Sequence, residues 1–141
     1  VEPHPCNRFG EASGRLRGGN LAVIADLIAT PVSPFADPES TILFIEDIAE
    51  PIYKVERIIW QLRLMGFLDR VAGIIIGQFT DYRPDRNYPD MYTMLDSALA
   101  GVTCPVTFNF PVGHVDHNLP LLSGAPATLS VTPSSATLRF I

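Results

Sequence analysis

Two strongly apolar runs constrain the fold of this chain most: Thr41–Ile45 and Val71–Phe79, the second centred on Ile74-Ile75-Ile76. Short runs without a polar alternate predict strands buried on both faces. Between them Ile52, Val55, Ile59 and Leu62 recur on one helical face, with Ile58 and Met65 beside it; Pro51 suits the first turn and Gly66 the C-cap. Strand, helix and strand in this order predict a β–α–β unit within an α/β fold.

The flanking segments extend the pattern. Asn20 can cap a helix carrying Leu21, Ile24, Leu27 and Ile28, which Thr30-Pro31 ends. After a polar loop over Asp81–Asp90, Met91, Met94, Leu95 and Ala98 mark a third helix; Trp60, Met65, Met91 and Met94 all read as core packing among aliphatics. Pro105–Phe110 is a further strand candidate, and Ala127–Val131 with Thr137–Ile141 flank Thr132-Pro133-Ser134-Ser135 as a terminal hairpin. Residues 1–13, with Pro3, Pro5 and Gly10, suit a tail or interdomain linker, so the folded unit is predicted over residues 14–141.

Composition narrows the function classes. Hydrophobic residues make up 47% of the chain and charged ones 18%, enough apolar material for one packed core. A net charge of −5 without a Lys/Arg block gives no footprint for nucleic acid or an anionic membrane. No apolar stretch approaches the roughly 20 residues that span a bilayer, so the chain reads as soluble. Cys6 and Cys104 provide neither a disulfide framework nor a zinc site and read as free thiols of a reducing compartment.

Chemistry concentrates in two places. Glu46 follows the Thr41–Ile45 run, where carboxylates of α/β enzymes often face a cleft; Asp47 and Glu50 compete for the role, and a solvated strand end has the same signature. His114 follows Phe110-Pro111-Val112-Gly113, so the backbone can turn and present an imidazole able to relay protons near neutral pH, although a loop histidine bonded to backbone would look alike. His114, Asp116 and His117 also make an H-x-D-H cluster, but neighbours on one loop converge poorly on an ion, and no metal is assigned. Gly18-Gly19-Asn20 suits an anion site or a tight strand-to-helix turn equally.

An ordered set of motifs carries a resemblance: Gly14-Arg15-Leu16-Arg17-Gly18-Gly19-Asn20-Leu21, Thr30-Pro31, Ile42 through Asp47, Tyr53 through Arg57, Gln61-Leu62, Gly73-Ile74-Ile75-Ile76-Gly77, and Pro111-Val112-Gly113-His114 with Asn118, Pro120 and Gly124. Together they resemble the C-terminal domain of the LD-carboxypeptidases, serine peptidases that include murein tetrapeptide carboxypeptidases and microcin C self-immunity hydrolases. The resemblance implies a swivelling β/β/α-type domain with a mixed sheet and three main helices. It also implies that Glu46 and His114 are the carboxylate and general base of a Ser-Glu-His triad, with no cofactor.

The nucleophile of that family belongs to an N-terminal domain, in a Gly-Tyr-Ser-Asp pattern. None of Ser13, Ser33, Ser40, Ser97, Ser123, Ser130, Ser134 and Ser135 is followed by aspartate. Leu122 also departs from the Pro-Leu-Pro often found before the loop glycine. The resemblance therefore implies that the N-terminal nucleophile domain of the same enzyme is a partner, with murein peptide as substrate, a cytoplasmic setting and a homodimer as a possible assembly. The alternatives are a microcin-type peptidyl- or aminoacyl-adenylate hydrolase and a stand-alone, non-catalytic interaction module of the same fold.

Overall fold

The computed structural model describes residues 1–141. Its frame is a six-stranded mixed sheet in the order β4-β3-β2-β1-β5-β6. In chain order these are β1 (Gly10–Asn20), β2 (Thr41–Ile48), β3 (Gly73–Thr80), β4 (Val106–Thr107), β5 (Pro126–Val131) and β6 (Ala136–Phe140). Strands β1 to β4 run parallel, and β5 runs antiparallel to both its neighbours, β1 and β6. Three α-helices complete the domain: α1 (Leu21–Ala25), α2 (Ile52–Leu64) and α3 (Met91–Ala98).

The alternation of a strand divides the apolar residues between two cores. Leu43, Ile45, Ile74 and Ile76 face one side, where α1, α2 and α3 supply Leu21, Ile24, Val55, Ile59, Met94 and Leu95. Ile42, Phe44 and Ile75 face the other, where no helix lies; the sheet curls until Ala127, Leu129 and Val131 of β5 meet them, together with Phe110 and Val112. Continuous apolar runs in β2 and β3 follow from this, since both faces of each strand are buried.

Helix α2 buries Ile52, Val55, Ile59 and Leu62, the face predicted from their spacing; Pro51 is its N-cap, and Gly66 lies just past its end at φ +72°. The terminal hairpin also forms, closed by Thr132 N–H donating to the Ser135 carbonyl at 2.8 Å. The mixed sheet and three helices are those implied by the resemblance. No helix is long and apolar enough to cross a membrane.

Several expectations need correction. The irregular tail expected over residues 1–13 is bound along the domain: β1 already starts at Gly10, Arg8 pairs with Val106, Asn7 Oδ1 accepts from Phe108 N–H at 2.8 Å, and the Val1 ammonium donates to the Ala136 carbonyl at 2.6 Å. Helix α1 stops at Ala25, because the N–H groups of Asp26, Leu27 and Ile28 reach back three residues instead of four and tighten the chain into turns. The strand expected over Pro105–Phe110 shortens to Val106–Thr107; Phe108 N–H is taken by Asn7, and Asn109 adopts φ +58°. Trp60 and Met65 are exposed rather than core, since Trp60 lies off the buried stripe of α2 and Met65 is the C-cap beyond its last turn.

The two faces of α2 give a direct stability contrast. Leu62→Ala, at a fully buried position, is expected to lower unfolding stability by about 3 kcal/mol. Leu64→Ala, at a position 85% exposed, should change it by less than about 0.5 kcal/mol, both read from urea denaturation midpoints.

Candidate active site

Strand β2 does not stop at Ile45, as its apolar run suggested, but continues through Ile48 and carries Glu46 and Asp47 into the domain, 7% and 2% exposed. Adjacent strand residues point to opposite faces, so the two carboxylates enter different environments. Asp47 turns to the helical side. Its Oδ1 accepts from Asn20 Nδ2 (2.8 Å) and Ile48 N–H (2.9 Å), and its Oδ2 from Ala22 N–H (2.9 Å), while Asn20 Oδ1 accepts from Val23 N–H (3.1 Å). Asp47 therefore ties the end of β1 to the start of α1 and satisfies a helix N–H.

Glu46 turns to the other side, and the structure brings His114 to it. The β2–β3 register slips between Ile45↔Ile76 and Asp47↔Phe79, so Gly77 and Gln78 together oppose Glu46 in a β-bulge. The chain after β4 runs along this bulge: Phe110 N–H donates to the Ile76 carbonyl (3.0 Å), and Gln78 N–H to that of Val112 (2.8 Å). A Cβ on Gly77 would lie 2.5 Å from the Val112 carbonyl oxygen, so the approach requires glycine. Tyr92 on α3 donates from its hydroxyl to the Gly77 carbonyl at 2.9 Å, and Gln78 Nε2 donates to Asn109 Oδ1 at 2.9 Å. Burial pushes the Tyr92 hydroxyl well above its ordinary pKa, which keeps it a donor.

The turn that presents His114 is held just as closely. Gly113 has φ +136°, and a Cβ there would stand 3.0 Å from the Gln78 carbonyl oxygen and 3.1 Å from Glu46 Oε2. Its N–H donates to Asn118 Oδ1 at 3.0 Å, and Leu119 N–H to the Pro111 carbonyl at 2.8 Å. His114 Nδ1 then lies 2.8 Å from Glu46 Oε2. An acceptor-only carboxylate assigns the hydrogen to Nδ1 and leaves Nε2, on a half-exposed ring, free to take a proton.

The structure separates the remaining candidates. Glu50 pairs with Lys54 at 3.8 Å and does not reach the histidine. Asp116 and His117 are exposed, and no group of three or more such side chains is arranged to hold a metal ion. Gly18 and Gly19 belong to the β1–β2 ladder rather than to an anion-binding turn, and Asp47 already accepts from the first turn of α1. No serine of the chain bonds to His114, whose only side-chain partner is Glu46. Both cysteines are unpaired, and burial raises the Cys104 thiol to about 11.

Gln78, Tyr92, Asn109 and Asn118 escaped the sequence reading as positioning residues. Only Gly77, interrupting the apolar run before Phe79, signalled a close backbone approach. The different duties of the two carboxylates predict different stability effects. Asp47→Ala strands three donors and should cost about 2–4 kcal/mol by chemical denaturation, whereas Glu46→Gln should cost less than about 1 kcal/mol.

Comparisons with known proteins identify the family of the chain. The family model described as the LD-carboxypeptidase C-terminal domain matches residues 13–129. The murein tetrapeptide carboxypeptidase of Pseudomonas aeruginosa is 30% identical over 116 residues, 82% of this chain and 38% of that protein. The microcin C7 self-immunity protein of Escherichia coli is 32% identical over 117 residues, 82% of this chain and 33% of that protein. The crystal structure of a muramoyltetrapeptide carboxypeptidase from Oxalobacter formigenes superposes with a TM-score of 0.84 at 30% identity, covering 97% of this chain and 47% of that one. The chain thus spans less than half the length of each. It belongs to the LD-carboxypeptidase family, within which it forms the C-terminal domain.

Proposed function

We propose that this chain supplies the general base, His114, and the orienting carboxylate, Glu46, of a serine-type LD-carboxypeptidase. The nucleophile lies outside these residues, on an N-terminal domain of the same enzyme. The observation that carries the reading is the 2.8 Å contact between His114 Nδ1 and Glu46 Oε2, which leaves Nε2 without a partner on a half-exposed ring. Family membership supports it, as does the length of the relatives.

In this mechanism His114 Nε2 removes the hydroxyl proton as the serine oxygen attacks the amide carbonyl carbon. The same nitrogen returns the proton to the amine as the C–N bond breaks, so that D-alanine departs and the acyl group stays on the serine as an ester. A water molecule then attacks the ester, giving its proton to Nε2, and the serine regains one as the peptide acid departs. Glu46 holds the ring in the Nδ1–H tautomer throughout and stabilises the imidazolium formed in each half-reaction.

The substrate we assign is murein tetrapeptide, cut between the L-centre of meso-diaminopimelate or lysine and the terminal D-alanine, in the cytoplasm. An aminoacyl or peptidyl adenylate is the second reading. It is favoured by the likeness to the microcin C7 self-immunity protein, whose solved structures include a complex with glutamyl sulfamoyl guanosine. Competing kcat/KM values on the two substrates separate the readings.

In the full-length protein, His114→Ala and Glu46→Gln are each expected to lower kcat/KM on the tetrapeptide about 10³-fold or more. Full kcat/KM in either variant would show that the assignment of these two residues is wrong.

A further inference from the structure

We propose that the outer face of α2 is the contact surface for a second copy of this chain, the two helices packing antiparallel about a two-fold axis that passes between Arg57 and Trp60. Helix α2 buries Ile52, Val55, Ile59 and Leu62 and turns Tyr53, Arg57, Trp60 and Leu64 outward, spaced by four, three and four residues along one stripe. Tyr53 is 53%, Trp60 47% and Leu64 85% exposed, and a groove of about 610 Å³ opens where Gln61 and Met65 flank the stripe. Arg57 lies over the Tyr53 ring at 5.6 Å, and Arg63 over the Trp60 ring at 5.5 Å. Aromatic rings, arginines and a bare leucine on one stripe make the composition of an interface rather than of a solvated helix face.

The domain that brings the serine does not cover this stripe, an argument that rests on the carboxypeptidase reading. That domain must reach His114 Nε2 on the side of the sheet to which Glu46 turns, the side of Ile42 and Phe44, where no helix lies. Helix α2 packs on the other side, and its stripe points away from the sheet.

The stripe is complementary to itself. Its spacing reads the same in both directions, so an antiparallel copy sets Tyr53 against the Leu64 of the second copy and Arg57 against its Trp60 ring. The flanks match as well. Glu56 and Arg63 lie on the flank towards α3, where Glu56 accepts from the Tyr88 hydroxyl at 3.3 Å and Arg63 donates to the Ala98 carbonyl at 2.7 Å; Lys54 and Gln61 lie on the flank towards α1. A two-fold axis brings each flank onto its own kind with the direction reversed, so Glu56 faces Arg63 of the second copy and Lys54 faces its Gln61. A parallel pairing would instead oppose Arg57 to Arg57.

The test uses the full-length protein. Wild type is expected to sediment as a dimer at about 100 μM, and Leu64→Glu as a monomer with an unchanged circular dichroism spectrum. Leu64→Ala, nearly neutral for the folding of a single copy, should weaken the dimer about tenfold. Cysteine cross-linking reads the register. Positions 53 and 64 are about 16 Å apart along one helix, too far for a disulfide within a copy, and each stands equally far from its own counterpart across the two-fold axis. Tyr53→Cys combined with Leu64→Cys should therefore give a covalent dimer under mild oxidation, and neither single variant should. A monomeric wild type, a dimer unmoved by Leu64→Glu, no cross-link in the double variant, or a cross-link in a single one overturns the proposal. None of these readouts involves hydrolysis, so the carboxypeptidase reading stands or falls separately, on the kcat/KM of His114→Ala.

Discussion

The Val112 backbone presses so closely on β3 that a single methyl group on Gly77 would meet its carbonyl oxygen at 2.5 Å. The geometry of the site depends on that approach. With the bulge at Gly77-Gln78, one residue of β2 faces two of β3, and the segment that follows β4 docks by hydrogen bonds at Ile76 and Gln78. The docked segment then delivers Gly113 against the Glu46 carboxylate. Were this strand-to-segment contact looser, His114 would be an ordinary loop histidine, and the distance to Glu46 would be set by chance.

The fold supplies the other half of the constraint from beneath. Period-two alternation sends Asp47 towards the helices and Glu46 towards the helix-free face, so one dipeptide performs two unrelated tasks. Asp47 joins β1, α1 and β2 through buried hydrogen bonds, which steadies the strand from which Glu46 projects. Tyr92 reaches from α3 to the bulge carbonyl and connects the larger apolar core to the active loop. Rigid elements thus surround a half-exposed imidazole, an arrangement that limits reorganisation when a proton moves.

The parts legible in the sequence were those governed by local pattern. The apolar runs of β2 and β3, the buried stripe of α2 and the Thr132–Ser135 turn each follow from periodicity or turn chemistry and form where expected. The first strand was illegible for a physical reason. Its Gly14, Gly18 and Gly19 look like loop residues, yet Gly18 is needed because a Cβ there would strike the Phe44 carbonyl of β2. Its first residues read locally as part of a tail because their partners in β5 lie more than 100 residues away in sequence. At the site, Glu46 and His114 were visible as candidate types, whereas the choice among Glu46, Asp47 and Glu50 needed the sheet register and the bulge, which no local pattern encodes.

The central claim is that Glu46 and His114 serve a serine carried outside these residues. It is tested most directly by treating the full-length protein with a serine-directed organophosphonate and locating the adduct by peptide mass spectrometry. The account predicts a single adduct on a serine outside residues 1–141, formed rapidly in wild type and lost in His114→Ala. An adduct on a serine within this chain, or labelling at an undiminished rate without His114, would contradict it.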